Sequence, residues 1–149
     1  MEIVTVKSPN KKILKRKAPV FDFKKYKTEE IRKVVSEMRK AMKLADGVGL
    51  SANQVGLDWR LFVAEYNKKF YVVFNPEITK KSEDTEALEE GCLSVPDVFM
   101  EVERPKSVTL EGNDRAGKKI KIKAFGVLAR IFQHETDHLN GKLITDYLS

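Results

Sequence analysis

The chain has 149 residues, 42% hydrophobic and 34% charged, with a formal net charge of +6. That length suits one domain, residues 1–149, with a real hydrophobic core, and that balance excludes a disordered or low-complexity protein. No apolar run is long enough to span a membrane, no apolar signal core opens the chain, and a single cysteine cannot close an internal disulfide, so a reducing cytoplasm or organelle interior is the expected location.

Residues 7–27 hold nine basic side chains and one acid, Asp22. Such a stretch can attract RNA or a ribosome surface, but apolar residues interrupt the charges and no base-stacking pattern is present, which favours plain solvation. Over residues 28–45, Ile31, Val34, Val35, Met38, Met42 and Ala45 recur at helical spacing. Thr28 is the expected N-cap, Glu29 and Glu30 suit the first turn, and Gly47 is the expected stop. Residues 47–54, Gly-Val-Gly-Leu-Ser-Ala-Asn-Gln, follow as a loop that is weak evidence when taken alone. Residues 60–64 and 70–74 read as strands of a hairpin, with Asn75-Pro76 ending the second. Residues 108–110 and 119–123 flank a turn-rich connection, and Ile120 and Ile122 alternate inward. A second helix runs from Phe125 or Gly126 to Asn140, stopped by Gly141, with Val127, Ile131, His134 and His138 on one inward stripe. The expected class is α+β: mostly antiparallel sheets around a central helix carrying HExxH, with one further helix in the N-terminal half.

Both histidines lie in His134-Glu135-Thr136-Asp137-His138. Residues i and i+4 share a helix face, so both imidazoles can reach one cation, and the glutamate between them can act as a base. A catalytic site of this kind needs a third protein ligand. After His138 the sequence offers no histidine, no glutamate and one acid, Asp146. The ligand must therefore come from upstream, and the thiolate of Cys92 in Glu90-Gly91-Cys92-Leu93-Ser94 is the strongest candidate.

Taken together, Gly47–Gln54, Glu90–Ser94 and the run Gln133-His134-Glu135-Thr136-Asp137-His138-Leu139-Asn140-Gly141 resemble, in order and spacing, the three motifs of peptide deformylase. The resemblance implies hydrolysis of the N-terminal formyl group from nascent peptides that begin with formylmethionine. It implies that Cys92, His134 and His138 bind one divalent metal, commonly iron(II), with zinc, nickel or cobalt as substitutes. Glu135 would take a proton from metal-bound water, and the Gln54 side chain with the Leu93 amide would stabilise the oxyanion. Val48, Val127 and Ile131 are candidates for a methionine pocket with His134 at its floor. Substrate backbone would pair beside Val48 and Gly49, with Gly91 also in contact. Asp137 is expected to orient a histidine or to pair with Arg104.

Three departures from the family pattern stand out. Ser51 replaces a more usual alanine, and Phe99 and Met100 lie where many members carry a polar residue near the pocket entrance. The sequence also ends soon after His138, like short deformylases encoded by some bacteriophages, which lack a C-terminal helix that can contact the ribosome. The expected partners are formylmethionyl nascent peptides and a transient ribosome contact, with no DNA and no membrane. A monomer is expected, in the host cytoplasm if phage-encoded. Two other classes compete: a noncatalytic ribosome-associated protein with a structural metal, and an HExxH hydrolase of internal peptide bonds.

Overall fold

The computed structural model describes residues 1–148, so Ser149 and the end of the sequence lie outside the described residues. Helix α1 (Thr28–Leu44) forms where the apolar stripe required it and buries Ile31, Val35, Met38, Ala41 and Met42. Its N-cap is Lys27, not Thr28, and the Glu30 carboxylate accepts the Lys27 N–H at 3.2 Å, closing the first turn. The helix stops one residue before Ala45, and Asp46 rather than Gly47 takes the left-handed conformation, φ +55°. Asp46 N–H donates to the Lys43 carbonyl at 3.1 Å and Gly47 N–H to the Met42 carbonyl at 2.9 Å. This is a Schellman ending, with aspartate tolerating a backbone shape that most side chains avoid.

The strands are β1 (Gly49–Ser51), β2 (Leu61–Tyr66), β3 (Lys69–Lys81), β4 (Thr85–Cys92), β5 (Val95–Pro105), β6 (Ser107–Asn113) and β7 (Lys119–Phe125). Five of them make an antiparallel sheet in the order β1-β2-β3-β6-β7, while β4 and β5 form a separate two-stranded sheet. The β2–β3 turn places Asn67 and Lys68 both at positive φ, the geometry that matches the twist of a two-residue hairpin.

Asn75-Pro76 does not end β3, contrary to the sequence expectation. The strand continues to Lys81 through a register shift between Phe74 and Glu77. Asn75 turns to φ +51°, and its side-chain amide accepts from Phe21 N–H at 2.7 Å and donates to the Phe21 carbonyl at 3.2 Å. A proline has no N–H to offer the ladder, and a bulge is where a central strand can absorb one.

Helix α2 (Gly126–Leu139) follows β7 directly and carries the histidine motif. It too ends in a Schellman motif: Gly141 (φ +78°) donates to the His138 carbonyl at 3.0 Å, and Lys142 to the Asp137 carbonyl at 2.8 Å. A Cβ on Gly141 would lie 2.6 Å from the Lys15 carbonyl, so glycine is needed there for space as well as for backbone shape. Phe132 anchors the helix on the sheet, fully buried beside Phe62 and Tyr71 with ring centroids 5.8 and 5.2 Å away. Truncating such a ring costs about 3–5 kcal/mol. A second apolar cluster packs α1 against the other end of the sheet through Met38, Met42, Leu50, Leu61 and Phe74. Two helices on antiparallel sheets make the α+β architecture expected from the sequence.

Candidate active site

Helix α2 presents His134 and His138 one turn apart, with ring centroids 4.6 Å apart and planes at 84°. Cys92 ends β4, and its Sγ lies 3.4 Å from His138 Nε2. One donor atom from each of Cys92, His134 and His138 lies within 4.8 Å of the others. Small side-chain shifts would let one ion with bonds of about 2.0–2.3 Å join all three. The donor set, one sulfur and two imidazoles, suits zinc, iron, nickel or cobalt and not a hard oxygen-seeking ion. Burial holds the His138 pKa well below its ordinary value, with positive His134 adding to the effect, so His138 keeps a free lone pair. Among the described residues this group has three members, which leaves an ion with an open position instead of a closed structural site.

A buried carboxylate orients the site. Glu90 Oε1 faces His134 Nδ1 at 2.9 Å, leaving Nε2 for a metal. The same carboxylate group accepts from Arg104 Nε at 2.6 Å, from Arg104 Nη2 at 3.0 Å and from Arg130. Burial pushes the Glu90 pKa up, but hydrogen bonds from His134 and Arg104 outweigh it and hold it at about 2. Burial likewise lowers His134, while Cys92 and Glu90 together push it up to about 10. Arg104 also donates to Asp137 Oδ2 at 2.9 Å, and the Tyr147 hydroxyl donates to that oxygen at 2.6 Å. Of the two roles expected for Asp137, the pairing with Arg104 is present, and its recorded hydrogen bonds reach no histidine.

Glu135 is buried beneath the histidines. Its pKa is raised by burial, a shift that positive His134 and the Ser51 hydroxyl only partly oppose. The Ser51 hydroxyl lies 2.9 Å from Glu135 Oε1. A Cβ on Gly49 would fall 2.5 Å from Glu135 Oε2, so any larger residue there would push this carboxylate aside. Ser51 N–H donates to Gln54 Oε1 at 2.9 Å, which fixes the amide so that Nε2 faces Ser94 Oγ at 3.0 Å and Cys92 Sγ at 3.8 Å. Ser94 in turn donates to the Val4 carbonyl at 2.7 Å, tying the N-terminal segment to the site.

Above these groups opens a cavity of about 530 Å³. Its lining includes Val48, Gly49, Gln54, Gly91, Leu93, Val127, Ile131, His134 and Glu135, so every sequence-derived site residue except the innermost ligand His138 reaches the cavity wall, Cys92 included. Val127 is 46% exposed and sits at the rim, not on the buried stripe expected of it. Phe99 lines the mouth, and its ring lies where a Cβ on Gly91 would be, 2.7 Å away. Met100 does not line the cavity, because successive residues of β5 face opposite sides. Sequence reasoning missed the roles of Glu90, Arg130, Ser94 and Tyr147. Only Glu90 and Ser94 carried a signal, by standing in the cysteine motif.

The model of the family described as polypeptide deformylase matches residues 1–149. The chain belongs to that family. Peptide deformylase of Rhizobium meliloti (strain 1021) is 44% identical over 125 residues, covering 80% of this chain and 72% of that protein. A probable peptide deformylase from Synechococcus phage S-SSM7 has the same fold, with a TM-score of 0.90 at 37% identity over 99% of both chains. Peptide deformylase from Synechococcus elongatus, solved in complex with actinonin, aligns with a TM-score of 0.91 at 35% identity over 100% of this chain and 79% of that one. Membership makes the protein an enzyme of the peptide deformylase class, a metal-dependent family, and Cys92, His134 and His138 are where an ion fits.

Proposed function

We propose that this enzyme removes the N-terminal formyl group from formylmethionyl nascent peptides by metal-assisted hydrolysis. The observation that carries the reading is a three-donor group at the floor of an apolar cavity with a buried carboxylate beside it. Cys92, His134 and His138 hold the ion, iron(II) by expectation with zinc, nickel or cobalt able to replace it. When bound, the ion supplies Lewis acidity to the attacking water and the formyl oxygen.

Glu135 takes the proton from that water and returns it to the departing amine. Its burial favours holding a proton between the two steps. Gln54 Nε2 and the Leu93 N–H donate to the oxygen that gains charge in the transition state. Ser51 and Ser94 hold the Gln54 amide in that orientation before substrate arrives. Val48, Val127 and Ile131 enclose the methionine side chain, with exposed Val48 and Val127 offering apolar surface for it to cover. Strand β1 is an edge of its sheet, which supports substrate pairing as an added strand beside Val48, Gly49 and Gly91.

The chain acts as one catalytic domain, a monomer in the cytoplasm, with at most a transient ribosome contact. Lys15 and Arg16 of the basic stretch are already paired with Asp146 and Asp58, which supports solvation over docking. No helix is long and apolar enough to cross a membrane. The test is an anaerobic assay of iron(II)- or nickel-loaded protein on formyl-Met-Ala-Ser. Formate release is expected, and its absence with metal demonstrably bound overturns the reading.

A further inference from the structure

Ser51, fully buried at the end of β1, stands between the two polar groups that the proposed reaction uses. Its backbone N–H holds Gln54 Oε1, while its hydroxyl lies 2.9 Å from both Glu135 Oε1 and the Glu135 carbonyl oxygen. Alanine, the more usual residue in this motif, would keep the bond to Gln54 and lose the one to Glu135. The hydroxyl contact is thus a feature of this chain and not a requirement of the fold.

We propose that Ser51 is a positioning residue for the base, clamping Oε1 of Glu135 so that Oε2 is the oxygen presented to substrate and water. The terminal torsion of a glutamate is intrinsically broad, and one fixed oxygen narrows it. The remaining oxygen is the one that lies against the backbone of Gly49, beside which the substrate is proposed to run. The bond from the hydroxyl to Oε1 holds the carboxylate in one orientation, which keeps the base aligned with the reacting atoms.

This inference rests on the deformylase reading, and the test separates the two. Formate release from formyl-Met-Ala-Ser is compared for nickel-loaded parent, Ser51→Ala and Ser51→Thr, with metal content measured in each. The infrared carboxylate band of Glu135, assigned by its loss in Glu135→Gln, is recorded in the same proteins. Ser51→Ala is expected to lose about 3- to 30-fold in kcat with KM within about twofold, and Ser51→Thr to recover most of the loss. The band should shift in Ser51→Ala and return in Ser51→Thr. Parent-like kcat in Ser51→Ala, an unshifted band, or a loss explained by a raised KM or missing metal overturns the clamp. A parent that binds metal but releases no formate defeats the functional reading instead, and the infrared band then decides the clamp alone.

Discussion

Glu90 Oε1 and His134 Nδ1 lie 2.9 Å apart, and two arginines grip the same carboxylate. One buried acid therefore fixes the ring of His134, a proposed metal ligand, and balances Arg104 and Arg130. Its neighbours in sequence, Gly91 and Cys92, bring the thiol to the same place, so three consecutive residues supply both the orienting carboxylate and a proposed ligand.

Replacing Glu90 with glutamine keeps the shape and removes the charge. Arg130 then loses its carboxylate partner and Arg104 keeps only Asp137, and breaking such a buried pair costs about 3–5 kcal/mol. Metal affinity should fall by about 10- to 100-fold as His134 loses its orienting partner. Denaturant unfolding and a competitive metal titration read the two effects, and parent-like values in both would show that the carboxylate is passive.

Acid should expose the same carboxylate. Its pKa is about 2 when folded against an ordinary 4.5, so its contribution is fully present above 4.5 and disappears as pH falls through 2. The stability at stake is about 3 kcal/mol. Unfolding measured across pH 5 to about 2 should decline more steeply in the parent than in Glu90→Gln. Parallel curves would place the acid sensitivity elsewhere.

Glu135→Gln should bind metal as the parent does and lose about 10²- to 10⁴-fold in kcat, because it removes the base and leaves the three ligands in place. Metal analysis and formate release on one preparation settle this. Retained turnover would remove Glu135 from its proposed role.

Cys92→Ser replaces a soft donor with a hard one at the end of β4. Zinc, nickel and iron(II) should all bind more weakly, or the order of their activities should change. An unchanged metal content and preference would put Cys92 outside the ligand set.

The two helices were legible because each carries a 3.6-residue apolar period, the histidine motif because ligand spacing on a helix is a local property, and Cys92 because the residues after His138 offer no third ligand. Details of capping were less legible. Lys27 and Asp46 occupy the ends of α1 where Thr28 and Gly47 looked better suited, since either choice suits local chemistry and tertiary position decides. Of the β4–β5 hairpin only a turn out of a strand after Cys92 was legible. In β4 the residues from Thr85 to Glu89 are exposed, so the strand has no apolar alternation to read. The roles of Glu90, Arg130 and Tyr147 depend on partners that are neighbours only after folding. Pro76 misled because the bulge that accommodates it depends on Asn75 reaching Phe21, far away in sequence.

The separation of β4 and β5 from the main sheet has a topological consequence. Cys92 belongs to the hairpin, while His134 and His138 belong to a helix packed on the five strands, so an ion joining them ties two differently anchored pieces of chain. The tie closes a loop of about 40 residues, the same constraint on the unfolded chain that a disulfide imposes. With one cysteine the protein has no covalent staple of its own. Its thiol and two imidazoles would make one reversibly, beside the Glu90–Arg130 and Arg104–Asp137 pairs that already hold the hairpin to α2.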